Sequence, residues 1–339
     1  MLSMRILLCM AGIAALAMVQ TQAWAQPTEA SRYPDRAVRI IVTSPPGGGQ
    51  DRVARILQGP LQKLLGQPVV IESIPGAQGI IGTQNLIRAQ PDGYRVMLMN
   101  TRQQFTSGFV MDKAPYDLSK DITPIIPFAY FRTAAIVHPT IPGKDLLEVL
   151  QYAKANPNKV SYAIVGTGSN AHLAMAMAAR KVGAETLAVP YKGGGQSATA
   201  LIAGEVHVFY TDLGTALSAA QTGKGVRLVA VSGSSRAGEA PVAPAFPESI
   251  RPYFSTGSVS LVGPPGMNPA VVEKIANAVR QAMTQNEVVE ALRTAGIETN
   301  VGDAAALRSE IKELTASWGP DAREILALVE GKTTVAPQK

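Results

Sequence analysis

Two glycine-rich loops, each set between an apolar strand pattern and a helical pattern, constrain this chain more than any other feature. The first is Pro45-Pro46-Gly47-Gly48-Gly49-Gln50-Asp51, after the β-rich run Val38 to Val42. The second is Gly166-Thr167-Gly168-Ser169-Asn170, after Val160 to Val165. A strand that ends in glycines and opens a helix presents backbone N–H groups without intrahelical partners. The helix dipole adds partial positive charge at the same place. Each loop is therefore a candidate anion cradle, and two of them on one chain suggest a small anion gripped between two lobes.

The surrounding pattern supplies the lobes. Val53, Ile56, Leu57, Leu61, Leu64 and Leu65 recur at helical spacing and predict a helix over 51–65, kinked or split at Gly59-Pro60. Strands are predicted at 69–71 and 94–99, with a turn at 76–82 and a short helix to Ala89 between them. The pattern then restarts. Strands are predicted at 134–137, 160–165, 187–190, 206–210 and 226–231, and helices at 146–156, 170–182 and 196–203. A last short strand at 259–262 precedes helices over 269–283 and 304–328, the second with a break near Gly319-Pro320, and a frayed tail at 333–339. Strands alternating with helices predict an α/β fold of two lobes, with parallel sheets and helices on both faces. No short-period repeat or low-complexity stretch interrupts it.

Residues 1–25 read as a secretory signal peptide. Arg5 supplies a positive start, Ile6 to Val19 the apolar centre, and Ala23-Trp24-Ala25 a cleavage site before Gln26. The apolar run is too short to span a bilayer comfortably. Cys9 is the only cysteine, so the exported chain would carry no disulfide and would rest on its core. Scattered Lys and Arg with little aromatic interleaving argue against nucleic acid, and the net charge of +6 is mild.

Catalytic and metal signatures are missing from the sequence. The three histidines, His138, His172 and His207, have no H-x-x-x-H spacing, and there is neither a G-x-S-x-G elbow nor a P-loop. No enzyme activity, metal or cofactor is expected. Gly166 to Ala171 does fit the dinucleotide fingerprint G-x-G-x-x-A. However, Glu185 precedes its strand instead of ending one, and a free nicotinamide cofactor is not expected outside the cytoplasm. Several side chains have two readings. His172, in the first turn after the second loop, touches a bound anion or packs. Asp51 caps its helix or sits in the site. Arg102 clamps a carboxylate bidentately or is a solvated loop arginine. Asp212 caps a helix or faces the cleft. Gly76-Ala77-Gln78-Gly79 reads as a turn constraint.

Taken in order, Tyr33-Pro34, Val38 to Val42, the Pro45 to Asp51 loop, Gly66-Gln67-Pro68-Val69-Val70 and Pro91-Asp92-Gly93-Tyr94 form a recognisable series. Gly166-Thr167-Gly168-Ser169 with His172-Leu173, then Val189-Pro190-Tyr191-Lys192-Gly193 and Gly204-Glu205-Val206, continue it. The chain resembles the Bug family of extracytoplasmic solute receptors, similar to the binding subunit of tripartite tricarboxylate transporters, over roughly residues 32 to 325. The resemblance implies a two-lobe periplasmic-binding-protein fold of type II, the Venus-flytrap kind. It also implies a carboxylate held by the two loops, often through water, in a cleft that closes. There are departures. Val42-Thr43-Ser44 stands where the family usually carries an aromatic, Gln50 replaces a common Ser or Thr, and Arg102-Gln103-Gln104 follows Thr101 where small polar residues are usual. An added arginine and lost bulk suit a second carboxylate on a larger or aromatic acid.

The ligand-binding set expected from the loops and the resemblance is Ser44, Gly48, Gly49, Gln50, Asp51, Thr101, Arg102, Thr167, Gly168, Ser169, His172, Tyr191 and Asp212. Lobe 1 is expected to comprise 26–126 plus 248–339, and lobe 2 127–247, with crossings near Phe128 to Thr133 and Phe254 to Val259. The expected protein is a periplasmic monomer that binds a small organic carboxylate, mono- or dicarboxylic. Its expected partners are the membrane subunits of a tripartite transporter or, on the alternative reading, a membrane sensor kinase.

Overall fold

The computed structural model describes residues 32–108, 115–232, 244–247, 249–250 and 257–316. The expected export signal at 1–25, the break near Gly319-Pro320 and the tail at 333–339 lie outside these residues.

Two sheets share one design. In the first, β1 (Val38–Val42) lies between β2 (Val69–Ser73) and β3 (Arg95–Asn100), all parallel. The chain then runs through β4 (Thr123–Phe131) and crosses at Arg132 into β5 (Thr133–Val137) of the second sheet. There β6 (Ser161–Ile164) lies between β7 (Leu187–Pro190) and β8 (Val208–Asp212), again all parallel. β9 (Arg227–Val231) completes that sheet, while β10 (Ser258–Gly263) and β11 (Ile297–Thr299) return to the first. The orders are β11-β4-β10-β3-β1-β2 and β7-β6-β8-β5-β9.

Each central strand, β1 or β6, runs into a glycine loop and a long helix, α1 (Gly49–Leu65) or α5 (Asn170–Val182). Each next strand, β3 or β8, runs into a helix capped by its own side chain. Asn100 caps α3 (Thr101–Ser107), and Asp212 caps α7 (Leu213–Ala220). All four helices therefore start at the carboxyl ends of parallel strands, where open α/β sheets bind ligands. The remaining helices are α2 (Ile80–Ile87), α4 (Leu146–Ala155), α6 (Gly194–Ala203), α8 (Pro269–Ala282), α9 (Asn286–Thr294) and α10 (residues 304–316).

Neither sheet is purely parallel, which corrects the expected parallel type. β10 runs antiparallel to β3 and β4, and β5 antiparallel to β8 and β9. The crossings explain this. β5 begins at the seam where β8 ends, because the chain has just come over from the other lobe. β10 likewise begins beside the end of β3, with Val259 opposite Asn100.

β4, α3, α7, α9 and β11 are additions to the elements expected from sequence. β4 carries Pro124 and Pro127, which argue against an interior strand. Here they sit opposite Val262 and Ser260, at the register shifts of the β4–β10 ladder, where missing N–H donors cost least. Gly59-Pro60 does not split α1, which is a single helix. Glycine before proline carries no Cβ to clash with the proline ring.

Val53, Leu57 and Leu61 of α1 meet Ile275 and Val279 of α8 in the core on one face of the first sheet. Each such side chain contributes about 1.5–3 kcal/mol by leaving water. The other face carries Ile41, Met97 and Phe105, covered by Leu307, Ile311 and Leu314 of α10. Leu173 and Met177 of α5 join that same cluster from the second lobe, so apolar contact holds the lobes together beneath the loops.

Candidate interlobe ligand site

The first loop is built around a buried carboxylate. Asp51 is 1% exposed, and its Oδ2 accepts from the Gly47 N–H at 2.9 Å and from Arg55 Nε at 2.8 Å. The hydrogen bond from Arg55, joined by that from Gly47, holds its carboxyl below the usual range. The Asp51 N–H donates to Ser44 Oγ at 3.1 Å, so Ser44 acts as a cap. Gly47 takes φ +80°, a conformation glycine adopts at no steric cost. The N–H groups of Gly49 and Gln50, at the first positions of α1, have no hydrogen-bond partner among the described residues.

The second loop repeats this geometry with a neutral acceptor. The Gly168 N–H donates to His172 Nδ1 at 3.0 Å, and Gly168 takes φ +74°. Ser169 caps α5 through Oγ, and its own N–H bonds the Gly166 carbonyl at 3.2 Å. The Gly168 and Ser169 N–H groups, both in the expected binding set, are thus engaged within the loop. Those of Asn170 and Ala171 have no partner among the described residues. His172 is 3% exposed, and burial pushes its imidazole down to about 4. It stays neutral at physiological pH, as an acceptor at Nδ1 requires.

The lobes meet across a seam at the second loop and at the start of α7. Gln78 Nε2 donates to the Thr167 carbonyl at 2.6 Å, and Arg52 of α1 approaches Asp212 of the second lobe at 3.7 Å. Asp212 caps α7, accepting from the Thr215 N–H at 2.9 Å and hydroxyl at 2.7 Å. Of the expected set, Ser44, Gly48, Gly49, Gln50 and Asp51 build the first loop and helix start, Thr167, Gly168, Ser169 and His172 the second, and Asp212 faces Arg52 across the lobes.

Three further residues of the expected set have partners of their own. Thr101 is fully buried and bonds the Ser258 hydroxyl at 2.8 Å. Tyr191 interacts with Glu205, its phenol raised chiefly by burial. Arg102 is 1% exposed, which overturns the reading of a solvated loop arginine. Its Nε donates to Asn170 Oδ1 at 3.1 Å, tying α3 to the start of α5. Burial pushes its guanidinium down to about 10, against the attraction of Tyr210 and Glu310.

Three residues outside the expected set join the seam. Gln78 comes from the turn read as a constraint, Gln103 stands beside it, and Phe131 packs against the first loop. A Cβ on Gly49 would lie 3.1 Å from Phe131 Cε1. Among the described residues no group of three or more His, Cys, Asp or Glu is placed to hold a metal. A hollow of about 440 Å³ near Tyr33, Arg36 and Tyr94 lies at the amino ends of β1 and β3, away from both loops.

Two α/β lobes, joined by crossing strands and closed on a seam at their strand ends, define the architecture of a periplasmic solute-binding protein. The chain belongs to the tripartite tricarboxylate transporter family receptors, whose family model matches residues 53–325. It is 32% identical to a UPF0065 protein from the tcbD-tcbE intergenic region of a Pseudomonas species, over 91% of each chain. It is 29% identical to protein BugT of Bordetella pertussis, over 90% of this chain and 94% of that one. Among solved structures it is similar to the periplasmic binding protein BugD, at 28% identity and a TM-score of 0.70, covering 88% and 98% of the two chains. It is also similar to MatC of Rhodopseudomonas palustris with bound malate, at 25% identity and a TM-score of 0.74, covering 87% and 100%. Receptors of this family bind solutes in the periplasm.

Proposed function

We propose that this receptor captures a small organic carboxylate at the interlobe seam and presents it to the membrane subunits of a tripartite transporter. One observation carries the reading. The amino ends of α1 and α5, on different sheets, leave N–H groups without partners, and the first lobe reaches the second loop through the bond from Gln78, in the 76–79 turn, to Thr167. Two helix dipoles and four backbone donors favour one anion between them. The malate bound to MatC is consistent with that chemistry. The lobes are taken as 26–126 plus 248–339 and 127–247, with the first boundary moved to Arg132, because β4 (Thr123–Phe131) pairs wholly within the first sheet and β5 opens the second. The hinge lets the ligand be buried, and closure creates the surface the membrane partner reads.

The ligand-free protein is screened by thermal shift against a panel of mono- and dicarboxylates. A binder at one hundred times its Kd adds about 2.7 kcal/mol and a clear rise in Tm. A panel in which uncharged esters raise Tm as much as their acids contradicts the reading.

A further inference from the structure

Three glutamine side chains run from the first loop to the second. Gln50 Oε1 accepts from the Thr43 N–H at 2.9 Å and its hydroxyl at 2.8 Å. Gln50 Nε2 approaches Gln103 Oε1 at 3.5 Å, and Gln103 Nε2 approaches the Gln78 carbonyl at 3.4 Å. Gln78 Nε2 then donates to the Thr167 carbonyl at 2.6 Å. The outer links are short, while the two middle links sit beyond the usual range for a hydrogen bond. The Gln103 amide is half-buried and loosely tied, between the two cradles.

The end of the row is held under strain. Ala77 and Gln78 take φ of +45° and +56°, uncommon for residues other than glycine. The Gln78 carbonyl is fixed on the first lobe by Ser107 Oγ at 2.8 Å, leaving its amide to reach the second. The row is therefore complete only with the lobes together.

The electrostatics of this corner oppose a second carboxylate. Asp51 Oδ1 and Gln104 Oε1 are buried acceptors with no hydrogen-bond partner, and Gln104 joins the row through Thr43 Oγ1 at 3.0 Å. Arg55 is committed to Asp51, and Arg102 is buried against Asn170. An anion here would lose its hydration beside acceptors, while the cations at hand, Arg55 and Arg102, are already engaged with Asp51 and Asn170. A neutral donor group would instead meet the Oε1 of half-buried Gln103, whose own link to Gln50 is 3.5 Å long.

We propose that Gln50, Gln103 and Gln78 form an uncharged distal subsite that reads an amide or hydroxyl on a ligand with a single carboxylate. The proposal rests on the carboxylate reading above and narrows its ligand class. It replaces the second-carboxylate role expected of Arg102.

The test is calorimetric titration of the mature protein with matched pairs: succinate against succinamate, glutarate against glutaramate, and adipate against adipamate. The monoamide of a pair is expected to bind more tightly than the dicarboxylate. Gln103→Ala is expected to weaken the monoamide about tenfold and the dicarboxylate by less than about twofold. Circular dichroism checks the fold, and Gln78→Ala, at a half-buried turn, makes the same test should Gln103→Ala fail to fold. Tighter binding of the dicarboxylates, or equal losses for both ligands, overturns the subsite and leaves the carboxylate reading standing. Failure of every acid in the series and the thermal screen to bind overturns the carboxylate reading itself.

Discussion

The two glycine loops solve one structural problem with different chemistry. Each turns its glycine N–H inward, onto a side chain four residues further along. In the first loop Gly47 donates to the Asp51 carboxylate, and in the second Gly168 donates to the His172 imidazole. Both leave the first two N–H groups of the following helix without partners among the described residues. The acceptors differ in what ends their service. Asp51 is held ionised by Arg55 and Gly47 and accepts at any ordinary pH. His172 accepts only while Nδ1 is unprotonated. The first loop is therefore a fixed cradle, while the second has a pH limit built in.

The largest expected effect separates them by pH. Burial lowers the His172 pKa from an ordinary 6.5 to about 4, so the unfolded chain takes up its proton before the native one. The stability that neutral His172 contributes is fully present above about 6.5. It is lost as pH falls toward about 4, and the shift corresponds to about 3 kcal/mol at the limit. His207, lowered by burial and by His138, contributes in the same direction. Urea melts of wild type and His172→Gln across that window isolate the first term, and the variant is expected to show the flatter profile. Equal slopes in the two proteins would remove His172 as the second loop's pH limit.

Next in size is the first loop's own anchor. Asp51→Ala removes a buried acceptor from the Gly47 N–H and from Arg55, and should cost about 2 kcal/mol. Asp51→Asn keeps an acceptor and should cost about half as much, which denaturant titration resolves. A smaller effect comes from Gly168→Ala. A Cβ at φ +74° costs about 1 kcal/mol or slightly more, and carboxylate affinity should fall with it. The smallest belongs to the seam's rim. Arg52, 46% exposed and 3.7 Å from Asp212, should lose less than about 0.5 kcal/mol of stability on truncation to Ala. A larger loss by thermal melts would mean that this pair bears on closure.

What the sequence made legible follows the range of the interactions. Both loops and their caps were readable, because a strand, a run of glycines and a helix start depend on neighbours within a few residues. Asp51, His172 and Asp212 each had a capping or packing alternative, and each makes loop or cap contacts of that kind. β4 was hidden by Pro124 and Pro127, whose tolerance depends on ladder irregularities opposite residues more than 130 positions away. Gln78 read as turn furniture because nothing local places it against Thr167, 89 residues on. Arg102 was legible only in part: its place after a central strand marked it, but nothing local shows that it is buried and bonded to Asn170 of α5, 68 residues on.

The central claim is that one carboxylate engages both helix starts at once. ¹⁵N-resolved NMR of the protein, titrated with the acid that gives the largest thermal shift, tests this most directly. The amides of Gly49 and Gln50 on the first loop and of Asn170 and Ala171 on the second should move together, with one shared dissociation constant. Movement confined to one loop, or centred on the hollow at Tyr33, Arg36 and Tyr94, would contradict it.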